Sequence, residues 1–181
     1  CMDGVMWEKT YDIEGNRYEY GTGIVTDSND NVIVGGSDGE GALIKYGPGG
    51  NVLWDYGNNV FSLTNIYDVA TDSSDNIIFG GSGVFGKMGP NGLPVIWPVG
   101  VSGSIDSVAV DSNDNVVATG NNTLWKTDKD GNVLGGFPIS LSGVIMGASV
   151  AVDSKNNIIL TGYRDGTNNP IKTVKYDPNG T

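Results

Sequence analysis

Short apolar runs separated by polar clusters mark the whole chain. VIVGGS at 32–37, IIFGGS at 77–82, VVATGN at 116–121 and IILTGY at 158–163 are brief and rich in β-branched residues, and each follows a cluster of Ser, Asn and Asp. β-Branched side chains fit a pleated surface, whereas Asp, Asn and Gly accept the backbone angles of tight reversals. No window of about 11 residues sustains apolar positions at i, i+3, i+4 and i+7, the spacing of a helix face. The pattern predicts an all-β chain of short strands and hairpins.

The hairpins repeat. GIVTDSNDN from Gly23, VATDSSDN from Val69, VAVDSNDN from Val108 and VAVDSKNN from Val150 are versions of one string. Their first acids, Asp27, Asp72, Asp111 and Asp153, lie 45, 39 and 42 residues apart. A second landmark follows each: LIKYGPGGNVLW from Leu43, FGKMGPNGLPVIW from Phe85, LWKTDKDGNVLGG from Leu124 and TVKYDPNGT from Thr173. These align Lys45, Lys87, Lys126 and Lys175, each ahead of a Gly/Pro/Asn/Asp turn. A period in the low forties with two hairpins per unit fits a β-propeller blade, a four-stranded sheet.

Within each unit the VAV type is the first strand and the VIVGG type the second, joined by the SNDN hairpin. The third strand ends at the aligned lysine, and a GPGGN-type turn leads to the fourth, NVLW. Paired glycines on the second strand predict close approach between blades. The lysines are expected to lie along outer strands with their ammonium groups in solvent. The last repeat stops at YDPNGT, before a fourth strand, whereas DGVMWEKTY from Asp3 reads like GGNVLWDYG from Gly49. The expectation is a single propeller domain over 1–181. Its repeats lie near 20–58, 65–102, 104–140 and 146–181, and the N-terminal strand within 3–12 completes the last blade. That closes a four-bladed ring and hides its sheet edges. The alternative is part of a larger propeller.

VAVDSNDNVVATG and VAVDSKNNIILTGY, the latter followed by KTVKYDPNG, resemble the SBBP and NHL-like groups of β-propeller repeats over about Tyr20 to Gly180. The resemblance implies the fold and a secreted bacterial or archaeal setting, but no one activity, since such repeats are scaffolds for many tasks. Virginiamycin B lyases are similar in repeat style only. That likeness implies a catalytic histidine, and this chain has none.

Composition narrows the partners. Of 181 residues, 21 are acidic and 10 basic, for a net charge of −11. Such a surface repels phosphate backbones and anionic headgroups, and no Lys/Arg cluster offsets it. No nucleic-acid partner is expected. No apolar run approaches the roughly 20 residues of a transmembrane segment. Without histidine the chain lacks the commonest base and metal ligand at neutral pH. Its one cysteine, Cys1, forms no internal disulfide. A chain starting at cysteine resembles processed bacterial lipoproteins, which carry lipid on that residue, and a cut end reads the same. Cys1 is thus a candidate for lipidation or a free thiol, and the expected location is secreted or cell-surface.

The oxygen-rich turns invite a calcium reading, since Asp27, Asn29 and Asn31 alternate. An EF-hand loop then needs Gly at its sixth position, where Val32 stands, and a hairpin explains all four copies. No metal and no cofactor is expected. Asp38 and Glu40 could pair as glycosidase carboxylates, but equivalent loops add only Asp165. Serines and Cys1 have no histidine base. The chain is read as non-enzymatic. Trp7, Trp54 and Trp97 share one position on fourth strands, where they pack blade on blade or form an outward aromatic platform. Trp125 falls on a third strand, where packing is the expectation.

The blades differ in the loops between second and third strands and in the links between blades. These meet at the end opposite the repetitive turns, and variation on a rigid frame is where recognition resides. The contact candidates are Arg17, Tyr18, Tyr20, Asp38, Glu40, Phe61, Tyr67, Phe85, Tyr163, Arg164 and Asp165. The expected function is an extracellular scaffold recognising a protein or glycan. The alternative is a structural subunit of an extracellular filament or surface assembly, built by exchange of the N-terminal strand between copies.

Overall fold

A computed structural model describes residues 4–11, 19–37, 41–56, 65–92, 95–141, 146–163, 168 and 170–181. These residues contain no helix and form four antiparallel sheets. The first joins β1 (Tyr20–Thr26), β2 (Val32–Ser37), β3 (Gly41–Tyr46) and β4 (Val52–Tyr56) in chain order. The second joins β5 (Ile66–Thr71), β6 (Ile77–Met88) and β7 (Val95–Ser104). The first half of β6 pairs with β5 and its second half with β7, with Gly83 at φ 77° between them. Gly83 sits where the first sheet turns from β2 into β3, so β6 covers both strand positions. The third sheet joins β8 (Ser107–Val110), β9 (Val116–Gly120), β10 (Thr123–Thr127) and β11 (Ile139–Ser140). The fourth joins β12 (Met146–Val152), β13 (Ile158–Tyr163) and β14 (Ile171–Tyr176). The repeats of the sequence are these sheets.

The DSNDN strings form hairpins for a local reason. The Asp27 carboxylate accepts the backbone N–H of Asn29 and of Asn31 and the Asn31 side-chain amide, which ties the turn together. The fourth turn residue takes the left-handed conformation in every copy, at φ 59° for Asp30, 60° for Asp75 and Asp114, and 63° for Asn156. Asp and Asn tolerate that region better than other side chains, which accounts for their fixed place in the string.

Successive sheets stack face to face, with β1 against β5, β5 against β8, and β8 against β12. Three apolar clusters fill the seams. Ile33 and Leu43 of the first sheet meet Val69, Ile77, Phe79, Val84 and Met88 of the second. Ile78, Phe85 and Trp97 of the second meet Ile105, Val108, Val116 and Ala118 beside the third. Val117, Leu124 and Leu141 meet Val150, Ile158 and Leu160 of the fourth. The glycines of the second strands do what the sequence implied: a Cβ on Gly35 would lie 2.7 Å from Ile66, and one on Gly80 2.6 Å from Ile105. Polar bonds add to the packing, since Asp68 accepts from the Ser107 hydroxyl and the Val108 N–H across a seam, both at 2.9 Å.

No comparable seam joins the fourth sheet to the first among the described residues. Ile24 is 71% exposed, whereas Val69, Val108 and Val150, at the same repeat position, are 8% or less. The ring closure expected from the N-terminal strand is not seen here. The fourth sheet has three strands, and residues 5–11 belong to no sheet. Trp7 lies instead on the first sheet, its indole N–H 3.0 Å from the Pro48 carbonyl and its ring 5.7 Å from that of Tyr46. Pairing with β14 would need the first and fourth sheets side by side, and no such seam is formed among the described residues.

Candidate functional site

The two hairpins of each sheet bring an aspartate and a lysine together at one end. Lys45 Nζ lies 2.8 Å from Asp27, Lys87 2.6 Å from Asp72, Lys126 3.0 Å from Asp111, and Lys175 2.7 Å from Asp153. The first three lysines are buried, which corrects the expectation of solvent-borne ammonium groups. A neighbouring sheet is the cause, because each ammonium also donates to a carbonyl in the next sheet's turn. Lys45 reaches Pro90 at 2.8 Å, Lys87 reaches Lys129 at 3.3 Å, and Lys126 reaches Pro178 at 3.1 Å. Burial alone would raise the Asp27 pKa, but the Lys45 ammonium and then the Asn31 amide outweigh it and hold it at about 2. Asp72 and Asp111 are lowered against the same burial, by Lys87 and Asn76 in one and by Asn115 and Lys126 in the other. Asp153 is lowered chiefly by Lys175.

More bonds cross the seams at this end. Ser28 donates its N–H and hydroxyl to Asp75 at 2.8 and 2.6 Å. Ser73 does the same to Asp114, and Ser112 to Asn156. Trp54 and Trp97 donate indole N–H groups to the Pro90 and Lys129 carbonyls, at 3.4 and 3.0 Å, so their role is packing between sheets. The carboxylates of Asp27, Asp72, Asp111 and Asp153 are each held by an ammonium and turn amides. Such an end is a clamp that ties each sheet to the next. Among the described residues no cluster of three or more acidic or thiol side chains is placed to hold a metal.

The opposite end is not repetitive. Tyr20, 54% exposed, and Tyr163, 41% exposed, stand there on the first and fourth sheets. Tyr67 is half-buried, and its hydroxyl lies 3.2 Å from that of Ser82. Asn65 joins two sheets: its amide donates to Tyr67 at 3.2 Å and Ser82 at 3.4 Å, and its oxygen accepts from Tyr20 at 3.4 Å and from Ser37. Asn65 thus spends both donors and both acceptor sites inside the protein, and the exposed hydroxyls of Tyr20 and Tyr163 are the groups that suit a ligand bearing hydroxyl or amide groups. Asn65, Ser37 and Ser82 went unnoticed in the sequence. The signal was available, because both serines follow the glycine pair and Asn65 takes Tyr20's place one period on.

Phe85 leaves the contact set. It is fully buried, edge-on to Trp97 at 6.1 Å, because its strand position faces the third sheet. Cys1, Arg17, Tyr18, Asp38, Glu40, Phe61, Arg164 and Asp165 lie outside the described residues.

No protein-family model matches the sequence, and no curated protein does. Solved structures do. A protein of unknown function from Bacteroides caccae is similar over 94% of this chain and 68% of its own, at TM-score 0.64 and 12% identity. The WD40 β-propeller domain of Doa1 matches over 85% of this chain and 49% of its own, at TM-score 0.65 and 14% identity. A catalytically inactive virginiamycin B lyase from Staphylococcus aureus, solved with quinupristin, matches over 87% and 56%, at TM-score 0.65 and 11% identity. The extracellular domain of a hybrid two-component system from B. thetaiotaomicron matches over 84% of this chain and 21% of its own, at TM-score 0.59 and 20% identity. The chain has the β-propeller fold. It spans about half the length of the Doa1 and lyase structures.

Proposed function

We propose that the chain is a non-enzymatic extracellular scaffold that recognises a protein or glycan at its loop end. One observation carries this reading: the same sheets are bonded alike at the turn end and differ at the other, where Tyr20 and Tyr163 are exposed and Asn65 gathers hydroxyls. A fixed frame with a varied rim is how propellers and other repeat folds present binding surfaces. The WD40 and extracellular-domain structures among the similar folds support a binding role and a place outside the cell. Lipid attachment at Cys1 would hold such a scaffold at a membrane surface. The reading requires no cofactor.

The test is to screen the immobilised chain against a glycan array and a panel of secreted and surface proteins. For a ligand so found, Tyr20→Ala and Tyr163→Ala are each expected to weaken binding about tenfold while leaving the melting temperature unchanged. Lys155→Ala, at the turn end, is expected to bind as the parent does. Equal loss from Lys155→Ala would move the surface elsewhere, and absence of any ligand from both screens would end the proposal.

A further inference from the structure

The three seams inside the chain are versions of one contact, and the two outer faces carry the halves of a fourth. On the second sheet, Val69, Ile77, Phe79, Val84 and Met88 face the first. Their counterparts one period earlier, Ile24, Val32, Val34, Ala42 and Tyr46, line a cleft of about 420 Å³ bounded by Trp7 to Tyr11. Trp7 there does to the first sheet what Trp54 does to the second and Trp97 to the third, donating its indole N–H to the turn carbonyl. Its ring covers Gly50 as that of Trp97 covers Gly131, with an added Cβ 2.8 Å and 2.7 Å away. Trp7 therefore holds the fourth-strand position of a blade placed ahead of the first sheet.

The fourth sheet carries what that blade needs. Lys175 is bonded to Asp153, but unlike its three counterparts it reaches no turn carbonyl among the described residues, and its side chain is 56% exposed. Ser154 holds the position from which Ser28, Ser73 and Ser112 donate to the next turn, and it is exposed. Thr161 holds the position of Gly35 and Gly80 against the next sheet, and it too is exposed. The matching acceptors and knob on the first sheet are the Pro48 carbonyl, Asp30 and Ile24. Donor meets acceptor at the turn end, and Thr161 would face Ile24 where Gly35 faces Val69 and Gly80 faces Val108.

We infer that a second copy of this chain fills each face, so that two arcs close head to tail into one eight-bladed ring. In that ring Lys175 of each copy donates to Pro48 of the other, Ile24 packs against Thr161, and the Trp7 segment becomes the fourth strand beside the other copy's β14. Continuity with the internal seams selects this occupant. The chain overlays about half of the Doa1 and lyase structures, as one of two arcs would. Two head-to-tail contacts that close on themselves form a finite assembly, and eight blades is within the usual range of about four to eight.

Sedimentation equilibrium of the full chain gives the first readout, with an expected mass twice 18.9 kDa. Ile24→Glu places a charge in both seams and is expected to raise the dissociation constant at least about tenfold. The decisive variant carries Ile24→Cys and Thr161→Cys in a Cys1→Ser background. On mild oxidation it is expected to form a disulfide-linked dimer on a non-reducing gel. A disulfide within one chain would mean that four blades close alone, and would overturn the inference. So would free thiols on an 18.9 kDa monomer, or masses that climb past two copies.

Discussion

Asp72–Lys87 and Asp153–Lys175 are one ion pair in two settings. Their separations, 2.6 and 2.7 Å, are nearly equal, and both carboxylates are pulled below the ordinary range. The first pair is 7% exposed at most, whereas Lys175 and Asp153 keep 56% and 27% of their side-chain surface in solvent. The repeat makes the pair, and the neighbouring sheet decides its environment. Losing one partner of a buried pair strands a charge in a poorly solvating medium, whereas water takes over at an exposed one.

The widest gap should appear at the next column of the repeat. Phe85→Ala is expected to lose about 3–5 kcal/mol of stability, and Thr173→Ala, at the same position on the fourth sheet, within about 0.5 kcal/mol in dilute solution. Urea melts of both would check this, and equal losses would erase the distinction between seam and end face. Next is the pair itself. Lys87→Met is expected to cost about 3 kcal/mol, at the low end for a broken buried pair because turn amides still bond Asp72. In the same dilute solution Lys175→Met should leave the urea midpoint unmoved.

The last test is acid titration. An unfolded Asp titrates near pH 3.9, so a carboxylate held lower when folded adds stability above that pH and loses it as pH falls through the folded value. With Asp27 at about 2 and Asp72 and Asp111 also lowered, urea midpoints should be level from pH 7 to about pH 5. They should then fall between about pH 4 and pH 2. The fall should be shallower in Lys87→Met, where Asp72 no longer has its ammonium. A steeper fall in that variant would reassign the acid sensitivity to other groups.

The sheets, their hairpins and the end that varies were all legible in the chain, because each rests on local chemistry that the repeat prints four times. The fate of the lysines was not. Whether Lys45 is solvated or buried depends on the Pro90 turn of the next sheet, 45 residues away, and no local pattern encodes that. Phe85 was misassigned to a loop surface although the repeat held a warning. Leu43, Phe85 and Leu124 stand two residues before the aligned lysines and form an apolar column, with Thr173 as its one polar member. The column marks a face that meets another sheet, and its break marks the outer one. Much of the varied end lies outside the described residues, so Tyr20, Tyr67 and Tyr163 represent it.

The lysine that leans forward gives the molecule a direction. Each of the first three sheets hands an ammonium to its successor's turn, and among the described residues none is handed back, so sheets join in one order only, like links with a hook at one side and an eye at the other. Removing one full period should bring a hook against an eye it already fits. Length in this molecule is therefore adjustable by whole units, without redesign of any joint.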